Sequence, residues 1–309
     1  MNSKPLVSIL ISSYNHEQFI GEAIDSCLNQ TYSPIEVIVV DDGSTDNSQE
    51  VIENYGDKLI PIFKDNGGVA STRNVGFPIC KGEYICLLDS DDYFMTDKVE
   101  RMVKVVTSDY KIGWYFHRVK VIDTERNELI RITPGKLTGY CDIRNDIKRG
   151  RMPIHGPSMS GLSFSRAIFE QILPLPEEPK YRLTDKYIRV VAASLSPGFF
   201  EDAPLGVLRL HGANKFSTFS LEDKLPKLAR VLIRNAFGLR KNWPDTIRYS
   251  NRLLGQGIGI FNRIGGINDE YEGLIKECFA FASSKDRLEI LLYLVYYQYI
   301  WDANKSVKI

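Results

Sequence analysis

The chain of 309 residues lacks both a long hydrophobic run and an excess of charge of one sign. Its longest apolar stretch, residues 290–301, is interrupted by Gln298 and falls short of the roughly 18 residues that a membrane-spanning helix needs. The 39 basic residues equal the 39 acidic ones, whereas a dedicated nucleic-acid-binding protein usually has a basic excess. We therefore expect a protein that does not span a membrane and has no nucleic-acid partner.

Cysteine is also scarce, and its spacing argues against a disulfide framework. The five cysteines are odd in number and include no C-x-x-C pair; they are Cys27, Cys80, Cys86, Cys141 and Cys278. Such a set is typical of reduced thiols in a reducing compartment. Residues 1–5 carry no signal-peptide pattern before the first predicted strand, so the sequence predicts a cytoplasmic location.

The first hundred residues alternate short apolar runs with amphipathic segments. Four runs rich in β-branched residues predict buried strands, at residues 6–11, 35–40, 59–63 and 84–88. The segments between them have helical spacing, and the third predicted helix carries Val69, Val75 and Ile79. This alternation predicts an α/β fold with a mostly parallel central sheet flanked by helices.

Beyond residue 111 the pattern changes. Further strands are predicted at residues 114–122, 129–132 and 206–210, with a helix at 183–195 between the last two of them. After residue 220 the spacing is helical to the end of the chain. These C-terminal helices are predicted at about 225–241, 245–264, 269–284 and 286–301.

Polar and acidic residues follow three of the predicted strands where each strand ends. They are Ser12, Ser13 and Tyr14 after the first strand, Asp41 and Asp42 after the second, and Asp89, Ser90, Asp91 and Asp92 after the fourth. The carboxyl ends of parallel strands meet at one edge of the sheet, where open α/β sheets bind their ligands. The sequence therefore predicts a site at this edge.

Asp89 and Asp91 have the spacing of a divalent-cation site. Residues i and i+2 of an extended segment point the same way, so both carboxylates can converge on one hard cation. For an isolated D-x-D pattern, a solvated acidic turn is the simpler interpretation. An EF-hand loop is excluded because Phe94 stands at the position of its invariant glycine.

Several other chemistries lack their motifs. Residues 12–18 contain no glycine, and neither the dinucleotide fingerprint nor the P-loop pattern occurs. No G-x-S-x-G elbow supports acyl chemistry. A bound nucleoside diphosphate would need another counter-charge, which a metal held by Asp91 together with Arg73 would supply.

Four motifs in order resemble those of the family 2 glycosyltransferases: SYN at 13–15, VVDDGSTD at 39–46, GGVASTRNVG at 67–76 and LDSDD at 88–92. The resemblance is close over residues 5–107 and traceable to about 218. It implies a GT-A nucleotide-diphospho-sugar transferase fold. The catalytic domain would span residues 1–219, with a nucleotide-binding half at 1–107 and an acceptor half at 108–219, followed by an all-helical extension at 220–309.

The resemblance also implies roles for individual residues. Tyr14 would stack on the nucleotide base beside Ser12 and Ser13, and Asp42 would accept a hydrogen bond from the base imide. Arg73 would lie near the pyrophosphate. Ser90 is grouped with the nucleotide-binding residues, and Asp89 would reach the ribose or a metal-bound water. The implied ligands of Mn²⁺ or Mg²⁺ are Asp91, Asp89 and His211.

The family inverts the anomeric centre with a carboxylate as general base. That carboxylate usually belongs to a Glu-Asp pair opening a helix 25–30 residues before the closing histidine. Asp185 matches this position, 26 residues before His211, although Thr184 replaces the usual glutamate. The rival acidic pair, residues 201–202, is predicted to lie on a hairpin. Residues 156–165 resemble the family's acceptor-side loop, and they fit a structural turn and strand equally well.

The helical extension falls outside these motifs. From residue 226 to 309 it holds 13 basic and 8 acidic residues. Packing on the catalytic domain or a homodimer interface is the favoured interpretation. Peripheral contact with the inner face of an anionic membrane that carries a lipid-linked acceptor is the alternative.

The resemblance implies transfer of one sugar from a nucleotide diphosphate, UDP being favoured, onto a hydroxyl of a glycan or a lipid-linked saccharide. Two other functions stay open. One is a catalytically inactive module that binds sugar nucleotides. The other is a D-x-D phosphohydrolase, which is disfavoured because its motif should follow the first strand.

Overall fold

The computed structural model describes residues 4–108, 112–134, 139–153, 156–177, 185–211, 221–266 and 269–302. Contacts divide the chain into two compact units. The first comprises Met1–Asp142, Ile154–Glu177 and Leu195–His211, and the second comprises Ile143–Pro153, Glu178–Ser194 and Gly212–Ile309. The second unit thus contains two segments that the sequence pattern assigns to the catalytic domain. The functional boundary near residue 219 stays a prediction.

Among the described residues, the first unit contains a sheet of ten strands. They are β1 Val7–Ser13, β2 Ile35–Asp41, β3 Ile60–Phe63, β4 Tyr84–Asp89, β5 Tyr93–Phe94, β6 Trp114–Asp123, β7 Glu128–Thr133, β8 Gly139–Cys141, β9 Leu162–Ser165 and β10 Gly198–Leu210. The main path runs β3-β2-β1-β4-β9-β6-β10-β5. The β3-β2-β1-β4 part is parallel, as the βαβ pattern predicts. The other part is mixed, since β9 pairs antiparallel with both β4 and β6, whereas β10 pairs parallel with β6.

Five helices accompany this sheet: α1 Ile20–Leu28, α2 Ser48–Glu53, α3 Val69–Gly76, α4 Lys98–Val106 and α6 Arg166–Ile172. Apolar residues of β1 and β4 pack with α1 and α4 in one buried cluster, in which Ile9, Ile24 and Met102 have no exposed surface. Burial of these aliphatic side chains anchors the strands whose carboxyl ends carry the polar residues.

Helix α3 presents its polar face to the interior. Two apolar residues of its predicted pattern, Val69 and Val75, are exposed. The third, Ile79, is also exposed and lies in a separate 3-10 turn after the helix. Thr72 and Arg73 are buried instead. An inward polar face on a short helix beside the strand ends indicates a role in a site rather than in the apolar core.

Strand β10 is longer than predicted, because it begins at Gly198 rather than near Gly206. The predicted hairpin at residues 201–202 is therefore wrong, as both residues lie within this strand. The pairing of β10 with β6 shifts register between Glu201 and Pro204. This irregularity accommodates a proline and two acidic residues that made the segment look like a turn.

The second unit is helical in its described part, with α5 Arg144–Lys148, α7 Asp185–Leu195 (except its last residue), α8 Leu221–Asn242, α9 Ile247–Arg263, α10 Asp269–Ala280 and α11 Ser284–Val295. A π-helical turn, Tyr296–Ile300, follows α11. Gly255 and Gly259 let α9 approach α11 closely. A Cβ atom on Gly255 would lie 2.5 Å from the Ile290 carbonyl oxygen, and one on Gly259 would lie 2.7 Å from that of Leu294.

No helix among the described residues combines the length and the apolar character required to cross a bilayer.

Candidate functional site

The carboxyl ends of β1, β2 and β4 meet at one edge of the sheet, as the sequence predicted. In the strand register Ser12 lies between Val40 and Asp89, and Ser13 lies opposite Asp41. Two further backbone bonds extend the contact past the strands, since Asp42 N donates to Ser13 O and Ser90 N donates to Ser12 O. The polar segments after the three strands are thereby fixed relative to one another.

Three side chains from distant segments converge at this edge. His16, Asp91 and His211 each offer one ligand atom, and these atoms lie within 4.8 Å of one another. His211 Nε2 is 3.2 Å from Asp91 Oδ2. The donor set of two imidazoles and one carboxylate fits a divalent cation. The structure brings together Asp91 and His211, whose role as metal ligands stays a prediction, and it adds His16, which was not among the predicted ligands.

The turn after β1 positions His16. Asn15 adopts a left-handed conformation, with φ of 54°, and its side chain accepts a hydrogen bond from Thr45 N. His16 N donates to Ser48 Oγ, and His16 Nδ1 lies 2.8 Å from Ser90 Oγ. The only signal in the sequence was a histidine directly after the Ser-Tyr-Asn segment, which says nothing about where the ring points.

Asp92 is structural. Its carboxylate is buried and accepts hydrogen bonds from Ser160 Oγ and from Arg209 N. Burial, followed by the negative charges of Asp91 and Asp89, holds the pKa of Asp92 well above its usual range. This carboxyl group therefore ties β10 to the loop after β4 and brings the end of β10, with His211, to the site.

Arg209 completes this connection. Its guanidinium donates to the Asp91 carbonyl oxygen at 3.2 Å, pairs with Glu22 and lies over the rings of Phe19 and Tyr93. A delocalised guanidinium suits such a combination of stacking and hydrogen bonding. Arg209 consequently fixes the loop backbone that carries Asp91.

Asp89 points to a different partner from Asp91. Its Oδ1 atom lies 3.5 Å from Nη2 of Arg73, whose side chain is buried. On the same helix, Thr72 Oγ1 donates to Ser12 Oγ at 2.8 Å. The inward polar face of α3 thus brings Arg73 to the strand ends. The structure places Asp89 beside the guanidinium of Arg73 rather than in the cluster of His16, Asp91 and His211.

Asp42 organises the loop between β3 and α3. Its carboxylate accepts hydrogen bonds from Lys64 Nζ at 2.6 Å, Gly67 N at 2.9 Å and Gly68 N at 2.7 Å. A carboxylate has about four acceptor positions, so roughly one is left for a ligand. The predicted contact of Asp42 with a base imide would use this remaining position.

The other predicted nucleotide-binding residues lie at the same edge. Tyr14 is 39% exposed, so its ring face is accessible. Ser13 Oγ is buried and has no hydrogen-bond partner within the described part of the chain. Ser90 is buried and contacts His16. An exposed aromatic ring beside buried hydroxyl groups is a suitable surface for a heterocyclic base.

The predicted base, Asp185, belongs to the second unit, where it is the first residue of α7. Its Oδ2 atom lies 3.8 Å from Arg189 Nη2. Burial and the charge of Arg189 lower the pKa of the neighbouring Lys186 to about 8, while Asp185 acts in the opposite direction. The rival acids of β10 are engaged in the first unit, since Glu201 pairs with Arg101 and Asp202 with Arg118.

Comparison with known sequences identifies the family. Residues 8–173 match Glycosyl transferase family 2. A protein of Nostoc sp. described as an uncharacterized glycosyltransferase is 33% identical over 213 residues, which are 67% of this chain and 66% of that protein. The Escherichia coli protein WfaP, described as a UDP-Glc:alpha-D-GlcNAc-diphosphoundecaprenol beta-1,3-glucosyltransferase, is 32% identical over 208 residues, 64% of this chain and 82% of its own.

The structural comparison agrees with the fold predicted from the sequence. The crystal structure of S. aureus TarS 1–349 in complex with UDP-GlcNAc superposes with a TM-score of 0.57 over 94% of this chain and 90% of that one, at 18% identity. At this identity the likeness shows the fold, which is GT-A. The sequence match covers more than half of the chain, and the chain therefore belongs to glycosyl transferase family 2.

Proposed function

We propose that the protein transfers a sugar from a UDP-sugar to a hydroxyl group of a saccharide or lipid-linked saccharide, with inversion at the anomeric carbon. The observation that carries this proposal is the convergence of Asp91 and His211 at the strand ends of a family 2 chain. The same edge carries the buried Arg73 beside Asp89. A cation-binding pair and a guanidinium at one edge suit a diphosphate with two or more negative charges.

The donor nucleotide is bound by side chains of the first unit. Tyr14 stacks on the base, Ser12 and Ser13 line its edge, and Asp42 accepts the base imide proton through its remaining acceptor position. Arg73 pairs with the pyrophosphate. TarS, which shares the fold, was crystallised with UDP-GlcNAc, and WfaP is named for a UDP-Glc donor; both names support UDP as the nucleotide.

Asp91 and His211 are the proposed ligands of Mn²⁺ or Mg²⁺. Asp89, which lies beside Arg73, is proposed to contact the ribose or a metal-bound water. When bound, such a cation neutralises the negative charge that develops on the leaving nucleoside diphosphate. The protein holds the cation-binding groups in place through the contact of Arg209 with the Asp91 carbonyl oxygen. Arg209 N also donates to the buried Asp92 carboxylate. The positions of Asp91 and Asp92 therefore both depend on β10.

We assign Asp185 as the general base that takes the proton of the acceptor hydroxyl. Asp185 is the first residue of α7. The carboxylate that acts as general base in family 2 enzymes likewise lies at the start of a helix. Its ion pair with Arg189, at 3.8 Å, orients the side chain. The rival carboxylates Glu201 and Asp202 already pair with arginines of the first unit, which favours Asp185 further.

WfaP is named for an acceptor linked through a diphosphate to undecaprenol. A lipid-linked saccharide is therefore the acceptor class that we propose for this chain. The helical unit supports membrane attachment, because α11 and the turn after it expose an apolar stripe made of Leu288, Leu291, Leu292, Val295, Tyr296, Tyr299 and Ile300. Peripheral contact of this stripe with the inner face of the membrane is the proposed location, and homodimer formation through it is the alternative.

The test of the transferase is a turnover assay with a panel of UDP-sugars and a soluble diphospholipid-linked saccharide, in Asp185→Asn and in the wild type. General base catalysis contributes about 10²- to 10⁴-fold, so we expect kcat to fall by that factor while UDP binding is retained. Asp202→Asn is the matched control and should keep wild-type turnover. NMR of the product should show an inverted anomeric configuration.

Two outcomes would count against this proposal. Unchanged turnover in Asp185→Asn would remove Asp185 from the base role. Binding of UDP-sugars without any transfer, across the panel of acceptors, would instead favour an inactive binding module.

A further inference from the structure

We propose that His16 is a third protein ligand of the divalent cation, and that the pair of imidazoles makes the site select Mn²⁺ over Mg²⁺. This inference rests on the proposed function, because it concerns the cation that serves donor binding. It concerns a residue on a different segment from the acidic motif and the closing histidine.

The positions of the three side chains support His16 as a ligand of the cation. One ligand atom each from His16, Asp91 and His211 lies within 4.8 Å of the other two. Ligand atoms at about 2.1–2.2 Å from one cation lie roughly 3 Å apart when they are neighbours and about 4.4 Å apart when they are on opposite sides of it. The two imidazole rings are 5.7 Å apart between centroids and stand at 89° to each other. The three side chains therefore lie close enough to share one coordination sphere once they draw together around a cation.

The surroundings hold each ring in this orientation. Ser90 Oγ contacts His16 Nδ1 at 2.8 Å, while Phe19 packs against the His211 ring with centroids 4.6 Å apart. The His16 backbone is anchored as well, since its N–H donates to Ser48 Oγ and its carbonyl oxygen accepts from Phe19 N and Ile20 N. Hydrogen bonds from outside the coordination sphere that fix an imidazole are characteristic of metal-ligating histidines.

The chemical nature of the three ligands supports the preference for Mn²⁺ over Mg²⁺. Mg²⁺ binds oxygen ligands and loses its water reluctantly. Mn²⁺ also favours oxygen ligands, but as a transition metal it accepts imidazole nitrogen more readily than Mg²⁺ does. A site with two imidazoles and one carboxylate is poor in oxygen for Mg²⁺. The same site matches Mn²⁺, with the remaining positions left for the oxygens of a diphosphate. The preference for Mn²⁺ over Mg²⁺ therefore depends on both imidazoles, that of His16 as well as that of His211.

The experiment counts coordinated nitrogens by pulsed EPR of Mn²⁺ bound to the full chain with UDP. We expect two directly coordinated imidazole nitrogens in the wild type, and one in each of His16→Asn and His211→Asn. Loss of an outer hydrogen bond alone weakens metal binding about 10- to 100-fold, so His16→Asn should raise the Mn²⁺ dissociation constant at least tenfold. Mg²⁺ affinity, measured by competition, should change much less.

Ser90→Ala is the matched control, because it removes the contact to His16 and keeps the imidazole. It should retain two coordinated nitrogens with weaker Mn²⁺ binding. The inference is overturned if the wild type shows one nitrogen, or if His16→Asn keeps two. In those cases Mn²⁺ still binds and the proposed function stands. If the wild type binds no Mn²⁺ with UDP, both the inference and the metal-dependent function fail.

Discussion

Three neighbouring carboxylates after β4 have three different partners. Asp89 meets Arg73, Asp91 meets His211, and Asp92 is buried against Ser160 and Arg209 N. The segment is a turn rather than the extended chain that the sequence predicted, since Asp92 N donates to the Asp89 carbonyl oxygen, and Asp89 and Asp91 therefore meet different partners. Each carboxylate is matched by a group from another element, so the segment is a junction of α3, β10 and the cation site.

His117 gives a prediction at the residue scale. Its ring is fully buried, and Nδ1 contacts the Arg118 carbonyl oxygen. Burial and then the charge of Lys98 lower the pKa of His117 to about 3, against about 6.5 in an unfolded chain. The folded state therefore keeps the ring neutral, while the unfolded state binds a proton below pH 6.5. The stabilisation is fully present above that pH and is lost as the pH falls towards 3.

The expected size is about 1.4 kcal/mol per pH unit. Between pH 6.5 and 4.5, the wild type should lose roughly 2–3 kcal/mol more unfolding free energy than His117→Asn, as measured by urea titration at each pH. Val121→Ala, on the same strand, is the control and should lower stability equally at all pH values. If His117→Asn loses as much unfolding free energy as the wild type over this pH range, other groups cause the loss of stability in acid.

Sequence reasoning at this scale found residues but not their partners. The acidic motif is visible as a strand end, and Asp91 was expected to meet His211. The meeting of His16 with them depends on the turn at Asn15 and on the register of β10, which no local pattern encodes. Asp92 was indistinguishable from its neighbours for the same reason, since its burial comes from Arg209, more than a hundred residues away.

At the scale of elements, the βαβ half was the most predictable part. Four short β-branched runs became β1 to β4 with nearly the expected limits, because each lies between turn residues. β1, β2 and β4 are largely buried as predicted, whereas β3 is an edge strand whose residues are mostly exposed. Helix α3 differed from its apolar pattern, because its inward face holds Thr72 and Arg73 for the site. Strand β10 was predicted too short, because proline and acidic residues inside a strand resemble a turn.

The apolar stripe of α11 and the following turn gives a prediction at the element scale. The opposite side of this helix approaches Gly255 and Gly259 of α9, while Leu292 is 64% and Tyr299 is 74% exposed. Residues 290–301 contain no charged side chain. Burying a leucine in an apolar phase gains about 1.5–3 kcal/mol, so Leu292→Glu should lower sedimentation with anionic lipid vesicles at least tenfold.

Leu129→Glu is the matched control for this experiment, since Leu129 is an exposed leucine of β7. It should sediment like the wild type. If the wild type does not bind vesicles but forms a dimer that Leu292→Glu dissociates, the stripe is an interface between two copies and the membrane proposal is wrong.

At the scale of the whole molecule, the order of the four motifs along the chain is enough to indicate the family, and the matches to known sequences confirm it. The motifs locate the donor-binding edge because they lie at strand ends. They say little about the helical unit, which they do not cover. The grouping of residues 143–153 and 178–194 with the C-terminal helices was not predictable, because it depends on contacts distant in sequence.

The most direct test of the account is calorimetric titration of the full chain with UDP, in Mn²⁺ and in EDTA. If Asp91 and His211 hold a cation against the diphosphate, UDP should bind the wild type in Mn²⁺, and binding should weaken by at least tenfold in EDTA. Asp91→Ala in Mn²⁺ should match the wild type in EDTA, and Asp202→Ala should match the wild type in Mn²⁺. Equal UDP affinity in Mn²⁺ and EDTA, or absence of UDP binding in both, would contradict the account.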